Sequence, residues 1–320
     1  MRPGPGNLLW FFWLWKMCLR LCPAVIVFRN VRPALGAILI AKMLKIRIVG
    51  DLSENYSAMY SPDVPSRNRF RSKILSYVIS YSERLSARNA DYVIAVCEEN
   101  ASRLNVLQQN AGRVGVVENF PELSELIVER TPKEPDQALK LVYLGLLDQF
   151  RSLDIVLLAM NKLRGKLVTL DVVGHGPMYH ALVKLAKELN ISNQVRFLGS
   201  MRHEAAIQIL RTSDVGLVPH LKCETTEATV PNKVYDYFAA GLAVISTDTA
   251  PLRRIVTSAD AGYLADNEVM EWANAISTFL VRPQHARELG ARGLSYLRAD
   301  RFWESKKSVI LEAMGSPSRS

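Results

Sequence analysis

The chain has 320 residues, of which 49% are hydrophobic and 22% are charged. This length fits two domains better than one, and the composition is typical of globular chains, which excludes intrinsic disorder. The four cysteines are scattered, so we expect no disulfide framework and a reducing, cytoplasmic compartment. The cysteines and the five histidines show no spacing typical of a zinc site, and no metal is predicted.

The formal net charge of +9 is concentrated at the N-terminus. The first fifty residues contain no acidic residue and eight basic ones: Arg2, Lys16, Arg20, Arg29, Arg32, Lys42, Lys45 and Arg47. Such a segment attracts phosphates on nucleic acids, anionic lipids or lipid diphosphates. Within it, Leu8–Cys22 (LLWFFWLWKMCLRLC) is apolar except for Lys16 and Arg20, and it is too short to span a bilayer. It predicts a buried helix or an interfacial one, with a signal peptide or anchor as the weaker alternative.

The first part of the chain alternates short β-branched runs with helical stretches. This alternation predicts a parallel sheet covered on both faces by helices. Strands are predicted at Ala24–Phe28, Ile46–Gly50, Tyr92–Val96 and Val114–Val117, and helices at Pro33–Leu44, Lys73–Asn89 and Asn100–Gln109, with a long loop over residues 51–72. We assign residues 1–122 to an N-terminal, acceptor-side Rossmann-like domain.

A charged, proline-containing stretch at residues 123–138 is predicted to be an interdomain linker. The α/β alternation then restarts and indicates a second, doubly wound domain over residues 139–296. Its strands are predicted at Leu139–Gly145, Leu167–Gly174, Val195–Gly199, Val215–Pro219 and Ala243–Thr247. Residues 297–320 are assigned to a C-terminal helix and tail, and Glu288–Ala313 is predicted to be helical throughout.

Glycines or short polar residues follow almost every strand of the second domain. Gly145 ends its first strand, and Gly174 and Gly176 follow its second. Ligands bind beyond the carboxyl ends of parallel strands, where glycine lets the backbone approach a ligand closely. Each glycine taken alone is more simply a turn residue. Together they predict a crevice along this edge.

The stretch Thr229–Ser246, TVPNKVYDYFAAGLAVIS, is the most informative of the chain. Pro231 is typical of a first helical turn and Gly241 of a helix C-terminus. The helix is expected to direct its N-terminus and Lys233 into the crevice, where both favour a diphosphate. Asn232 and Asp236 lie one turn apart on one face, so both can meet a ligand. The competing interpretation is a surface helix with solvated charges.

Several short motifs, taken in order, resemble those of retaining glycosyltransferases of family 4, which have two Rossmann-like domains facing a cleft. The resemblance covers nearly the whole chain and is strongest for PNKVYDYFAAGLAVIST. It extends to KLVYLGLLDQFRSLDIVLLA at Lys140–Ala159, DVVGHG at Asp171–Gly176 and DVGLVPH at Asp214–His220 and, with less force, to DLSENY at Asp51–Tyr56, ADYVIAV at Ala90–Val96 and VENFP at Val117–Pro121.

The resemblance implies roles for individual residues. Arg151 and Lys233 would bind the donor diphosphate, and Asp236 would hold the ribose. Leu146 stands where the family often has another basic residue. Ala228 stands where the family has a glutamate that contacts the sugar, so Glu227 or Glu224 would have to serve from a neighbouring position.

The function that the resemblance implies is transfer of a sugar from a UDP- or GDP-type donor to a glycan or lipid-linked glycan precursor, with retention of configuration and without metal. We expect a cytoplasmic protein of polysaccharide biosynthesis, peripheral on the inner face of the membrane, with Arg151, Lys233 and Glu227 as its catalytic residues. Gly145, Gly174, Gly176, Pro231, Asn232 and Asp236 are expected to line the donor site.

Three alternatives stay open. One is a non-catalytic nucleotide-sugar-binding partner or inactive homologue, another is a sugar-nucleotide epimerase of the same fold, and the third is a nucleic-acid-binding protein. The last would need exposed aromatics interleaved with basic residues. The resemblance also implies that the N-terminal domain is incomplete and lacks its first strands. We therefore expect a shortened form with an open sheet edge and weak or no activity alone.

Overall fold

The computed structural model describes residues 8–59, 69–109, 113–122 and 138–315, without the side chains of Leu8 and of residues 69–72. The chain divides into two compact units. The first comprises Met1–Glu118, Glu227–Thr229 and Lys306–Ser320, and the second comprises Asn119–Thr226 and Val230–Ser305. The linker predicted at residues 123–138 lies outside the described residues except for Ala138.

The first unit contains a four-stranded parallel sheet of order β1-β2-β3-β4. Its elements are α1 (Leu8–Leu21), β1 (Val25–Arg29), α2 (Val31–Leu44), β2 (Arg47–Asp51), α3 (Tyr56–Met59), α4 (Arg69–Asn89), β3 (Tyr92–Ala95), α5 (Glu98–Gln108) and β4 (Val114–Val116). The strands and helices pack around one apolar cluster that includes Phe28, Ile48, Val93 and Leu104.

Three helices of this unit begin before the predicted residue, α2 at Val31, α4 at Arg69 and α5 at Glu98, and helix α3 was not predicted. Helix α5 begins at Glu98 rather than Asn100. Glu98 and Glu99 lie in its first turn, where negative charges interact favourably with the helix dipole. Helix α3 lies in the stretch predicted as a loop. It is started by Asn55, whose Oδ1 accepts a hydrogen bond from the backbone N–H of Ala58 at 3.2 Å.

The second unit contains a six-stranded parallel sheet of order β10-β9-β8-β5-β6-β7. Its elements are β5 (Leu139–Leu144), α6 (Leu153–Lys162), β6 (Val168–Val173), α7 (Tyr179–Glu188), β7 (Val195–Gly199), α8 (His203–Arg211), β8 (Val215–Val218), α9 (Lys233–Ala239), β9 (Ala243–Thr247), α10 (Ala250–Ala259), β10 (Gly262–Ala265), α11 (Val269–Val281) and α12 (Pro283–Arg298). The expected fold of two Rossmann-like α/β units is confirmed.

The end of the chain differs from the prediction. The continuous helix expected over Glu288–Ala313 is wrong, because α12 ends at Arg298 and Asp300 adopts a left-handed backbone conformation with φ 66°. A 3-10 helix, Trp303–Lys306, and helix α13 (Lys307–Ala313) follow. Helix α13 packs in the first unit, where Arg47 donates a hydrogen bond to the carbonyl of Ala313 at 2.8 Å.

Strand β10 was not predicted, because its sequence GYLA is short. In the structure it is only partly buried. It pairs with β9 and becomes the edge of the second sheet. None of the helices that the structure describes is long and apolar enough to cross a membrane.

Candidate functional site

The site begins at the place where the second sheet reverses its strand order. Strand β5 lies between β6 and β8, and the chain continues from β5 to one side of the sheet and later returns to build the other. Loops after the two central strands diverge at such a switch point and open a crevice at their carboxyl ends. The loop after β5 carries Arg151, and the loop after β8 carries His220.

Arg151 and His220 are in direct contact. Nη1 of Arg151 lies 2.8 Å from Nε2 and 3.2 Å from Nδ1 of the buried His220. Arg151 ends a 3-10 helix, Gln149–Arg151, which is capped by Asp148 through a hydrogen bond from the backbone N–H of Phe150 at 2.9 Å. The Asp148 carboxylate also lies 3.7 Å from Nε of Arg151. The local turn therefore fixes where the guanidinium points.

Lys233, the first residue of α9, is buried, with 9% of its surface exposed. Its Nζ lies 3.9 Å from the centroid of the Tyr143 ring and has no hydrogen-bond partner among the residues that the structure describes. Burial, and secondarily the charge of Arg151, hold the pKa of Lys233 well below its ordinary value. A buried ammonium without an acceptor is costly unless an anion joins it.

His220 completes a cluster of three basic groups with Arg151 and Lys233. Burial, followed by the charges of Lys233 and Arg151, lowers the pKa of His220 well below its ordinary value. The carboxylates that reach this cluster electrostatically are Asp148 and Asp236. The arrangement is suited to an anion with several oxygens, such as a diphosphate.

The three glycines predicted to line the crevice lie in two loops that touch each other. Gly145 and Gly174 both have strongly positive φ angles, 132° and 138°. A Cβ on Gly174 would lie 1.9 Å from the carbonyl oxygen of Gly145, and one on Gly176 would lie 2.4 Å from that of Leu147. Close packing of the loops after β5 and β6 therefore explains Gly174 and Gly176. This favours the simpler interpretation of these two glycines as turn residues.

Gly145 is different, because a Cβ there would lie 3.0 Å from Nζ of Lys233. Because Gly145 has no side chain, Nζ of Lys233 can lie close to its backbone, and Gly145 itself is exposed. Gly145 and Lys233 are therefore parts of one site, although the sequence places them 88 positions apart.

Helix α9 is held in place from within the sheet. The Tyr237 hydroxyl donates to the carbonyl of Leu217 at 3.3 Å and accepts from the backbone N–H of Leu144 at 2.9 Å. This anchor ties α9 to β8 and β5 and leaves Asp236, on the other side of the helix, exposed. The helix stops before Gly241, which has a φ of 66°.

Pro231 and Asn232, which were predicted to lie in the first turn of this helix, precede it. Asn232 is exposed, and its Oδ1 accepts a hydrogen bond from Nδ2 of Asn119 at 3.0 Å. Its side chain forms no cap of α9. The helix has seven residues, so it is shorter than the motif alone suggested.

Glu227 is half-buried. It lies in a 3-10 helix, Thr226–Ala228, and the segment Glu227–Thr229 groups with the first unit. Ala228 is buried, whereas Glu224 is exposed. Leu146, which stands where the family often has a basic residue, is 52% exposed.

Sequence reasoning gave no role to three members of the site: Tyr143, Asp148 and His220. The available signal was their position, because Tyr143 lies near the end of β5 and the other two follow the central strands. Among the described residues, no group of three or more His, Cys, Asp or Glu side chains is placed to hold a metal ion.

Comparison with known proteins identifies the family of this chain. Residues 127–295 match the family model described as glycosyl transferases group 1. The chain is 28% identical over 134 residues to a D-inositol 3-phosphate glycosyltransferase of Nocardia farcinica, covering 42% of this chain and 28% of that protein. It is 24% identical over 251 residues to the enzyme of that name from Rhodococcus erythropolis, covering 74% and 54%. The chain thus spans about half or less of the length of these curated relatives.

Solved structures share the fold at low identity. The Anabaena protein HepE in complex with UDP superposes with a TM-score of 0.77 at 15% identity, covering 96% of this chain and 82% of that one. HepE has also been solved with UDP-glucose, with a TM-score of 0.75 at 16% identity, covering 98% and 84%. A sucrose-phosphate synthase from Thermosynechococcus elongatus has a TM-score of 0.74 at 18% identity, covering 94% and 76%.

Proposed function

The chain belongs to the group 1 glycosyl transferases, and we propose that it transfers a sugar from a nucleotide-diphosphate sugar to an acceptor hydroxyl. The observation that carries this proposal is the buried Lys233 side chain, whose Nζ has no hydrogen-bond partner among the described residues and lies in one cluster with Arg151 and His220. Three basic groups at the switch point of a parallel sheet are suited to a diphosphate.

The donor is of the UDP or GDP type. In this proposal Arg151 and Lys233 bind its diphosphate, and Gly145 lets the phosphates approach the backbone above Lys233. Asp236, exposed on α9, accepts hydrogen bonds from the ribose hydroxyls. The complexes of HepE with UDP and with UDP-glucose support a uridine donor in a protein of this fold.

Transfer breaks the bond between the anomeric carbon and the diphosphate and forms one to the acceptor oxygen. The transition state resembles an oxocarbenium ion while negative charge grows on the leaving phosphate. Arg151 and Lys233 stabilise that charge as fixed electrostatic groups, without a metal ion. The resemblance to family 4 supports retention of configuration, with the acceptor proton passing to the leaving phosphate oxygen. Glu227 is assigned to the sugar hydroxyls.

We assign residues 1–122 to the acceptor side and residues 139–296 to the donor side, joined by residues 123–138. The acceptor in this proposal is a glycan or a lipid-linked glycan precursor, and the enzyme serves polysaccharide biosynthesis at the inner face of the membrane. Support comes from the outward face of α1, where Leu9, Phe12 and Leu19 are more than half exposed beside Lys16 and Arg20.

Helices α2 and α4 continue this pattern. Leu39, Met43, Tyr77 and Tyr81 are each more than half exposed. The sequences of α1, α2 and α4 contain one acidic residue, Glu83, which is buried and paired with a guanidinium of the first unit. Exposed apolar and cationic side chains without exposed carboxylates favour an anionic lipid surface.

A test of the donor assignment is a thermal-shift series with UDP-glucose, GDP-mannose and an ADP-sugar, followed by turnover of the ligand that stabilises the chain. A ligand at 100 times its dissociation constant adds about 2.7 kcal/mol to the free energy of unfolding. A melting temperature that no nucleotide sugar raises would contradict the proposal.

The exposed Leu146 and the buried Ala228 favour one second candidate, a nucleotide-sugar-binding partner without catalysis. The two candidates differ in turnover. Binding of the donor without a glycosylated product, over a panel of glycan and lipid-linked acceptors, would favour the partner. Release of nucleotide diphosphate without an acceptor product would instead indicate an epimerase.

A further inference from the structure

The basic cluster is short of negative charge in the ligand-free protein. Nζ of Lys233 contacts the face of the Tyr143 ring at 3.9 Å and has no hydrogen-bond acceptor among the described residues. The ring attracts a cation but accepts no conventional hydrogen bond from it, so it replaces only part of the water that burial removes. Arg151, by contrast, is permanently protonated. The free site therefore holds one fixed cation beside a buried amine whose pKa lies well below its ordinary value.

The pKa of His220 is also lowered in the free protein. Nη1 of Arg151 is a donor only, and it lies 2.8 Å from Nε2 of His220, so this contact requires a ring nitrogen that accepts. An accepting ring nitrogen means a neutral imidazole. Burial and the charges of Lys233 and Arg151 keep the pKa of His220 low in the free protein.

The groups that face the pair come from several elements. Arg151 and Asp148 lie in the loop after β5, and the phenol of Tyr143 lies on β5 itself. Asp236 and Tyr237 lie on α9 with Lys233. Burial raises the pKa of both tyrosines, which stay neutral. Arg151 lowers the pKa of Lys233 and the two carboxylates raise it, but burial has the largest influence and holds this pKa well below its ordinary value.

We propose that the donor diphosphate binds with net uptake of protons, which are taken up by the buried pair of Lys233 and His220. This inference rests on the proposed function of the same site. A nucleotide sugar brings two negative charges, which reverse the balance around the pair. Lys233 then gains the acceptors that it lacks, and His220 gains a counter-charge as Arg151 turns to the phosphates. His220 acts as a positioning residue for Arg151, and the pair makes donor affinity dependent on pH.

The direction of the dependence follows from linkage. A complex that holds more protons than the free components is weakened as pH rises. For each proton taken up, the association constant falls by up to about tenfold per pH unit. This fall occurs between the pKa values of the pair in the free and the bound state. At lower pH the pair is charged in both states and the affinity is level.

The experiment is titration calorimetry of the whole chain with UDP-glucose at a single pH of about 8, in buffers that differ in ionisation enthalpy. The slope of the observed enthalpy against buffer ionisation enthalpy gives the number of protons exchanged. UDP-glucose is the better probe than UDP, because its diphosphate diester has no proton to release near neutral pH. The protons exchanged with the buffer are then bound or released by the protein alone.

We expect a net uptake of about one proton per bound donor, divided between Lys233 and His220. Two variants locate it. Lys233→Arg keeps a cation that does not titrate, and His220→Gln keeps an oxygen that accepts from Arg151. His203→Gln, at an exposed histidine that begins α8, is the matched control and should leave the uptake unchanged.

Proton uptake that falls in Lys233→Arg, in His220→Gln, or in both supports the inference and shows which group carries the proton. Uptake that is unchanged in both variants, or binding to the wild-type chain with no uptake, overturns it while leaving the proposed function intact. If neither UDP-glucose nor GDP-mannose binds to the wild-type chain, the proposed function fails, and this inference fails with it.

Discussion

Nζ of Lys233 lies 3.9 Å from the centroid of the Tyr143 ring, and both residues are buried in the second unit. A cation–π contact contributes about 0.5–2 kcal/mol, whereas burying an ammonium costs several kcal/mol. The contact therefore does not offset the burial. Lys233 destabilises the free protein in favour of a bound anion, which is a common compromise between stability and function.

Lys233→Met should raise the free energy of unfolding of the ligand-free chain by about 1–3 kcal/mol, because it replaces a buried charge with an apolar side chain of similar length. The folded-state pKa of Lys233 is lowered, so the unfolded chain binds more protons and the cost of the lysine is greatest at low pH. The gain should shrink as pH rises towards the ordinary lysine value. Urea unfolding at several pH values measures it.

The matched control is Lys222→Met, at an exposed lysine that is paired with Asp266 at 3.1 Å. Its effect should stay within about 0.5 kcal/mol. A Lys233→Met variant that is less stable than wild type at every pH would show that the lysine is satisfied in the folded protein.

Arg151→Ala should lower kcat/KM by roughly 10- to 150-fold, which corresponds to about 1.5–3 kcal/mol of transition-state stabilisation from a charged hydrogen bond. Arg151→Lys should recover only part of this loss, because an ammonium lacks the planar fork with which a guanidinium binds two phosphate oxygens. Arg292→Ala, at an exposed arginine on α12, is the control. Steady-state rates of Arg151→Ala close to wild type would remove Arg151 from the diphosphate site.

Asp236→Ala should weaken binding of nucleotide sugars by about 1–3 kcal/mol through the loss of hydrogen bonds to the ribose. Because Asp236 is exposed, the free energy of unfolding should change by less than about 0.5 kcal/mol. Equilibrium binding and thermal unfolding of the same variant measure the two effects. Unchanged affinity would mean that the ribose is held elsewhere, and Glu188→Ala, at an exposed position on α7, serves as the control.

Gly174→Ala should destabilise the chain by at least about 2 kcal/mol more than Gly199→Ala. Both glycines have positive φ angles, 138° and 69°, so both substitutions carry backbone strain. They differ in space, because a Cβ on Gly174 would lie 1.9 Å from the carbonyl oxygen of Gly145, whereas one on Gly199 meets nothing within 4 Å. Equal losses in chemical denaturation would show that strain, and not the packing of the two loops, decides the glycine.

The chain should sediment with anionic vesicles and not with neutral ones. Each cation near an anionic surface contributes about 1 kcal/mol, and the attraction weakens with salt. The double variant Lys16→Glu/Arg20→Glu should therefore abolish most of the binding, while Lys184→Glu, on an exposed face of α7, should not. Sedimentation that ignores lipid charge and salt would count against a membrane role for α1.

The elements that could be predicted are those with strong local signals. The β-branched runs gave nine of the ten strands in the right place, and Pro231 and Gly241 marked the limits of α9 within two residues. The break after Arg298 was missed, because nothing in its neighbourhood is a proline or glycine. It depends on the left-handed conformation of Asp300.

The site was harder to predict than the fold, because its contacts join distant parts of the chain. Arg151 and Lys233 were predicted to lie at a common crevice, and the structure brings them into one basic cluster. The contact of Arg151 with His220, by contrast, spans 69 positions and has no local pattern. The glycines show the opposite problem. Gly174 was expected to make room for a ligand, and the structure explains it by the backbone of Gly145.

The most direct test of the central claim, that the buried basic cluster binds the diphosphate of a nucleotide sugar, is equilibrium binding of UDP-glucose and GDP-mannose to the wild-type chain and to Lys233→Met. The account predicts that one of the two ligands binds to wild type and raises its melting temperature. It also predicts that the same ligand binds to Lys233→Met at least about tenfold more weakly, the loss of one charged hydrogen bond. Equal affinity of both proteins for the ligand would contradict the account.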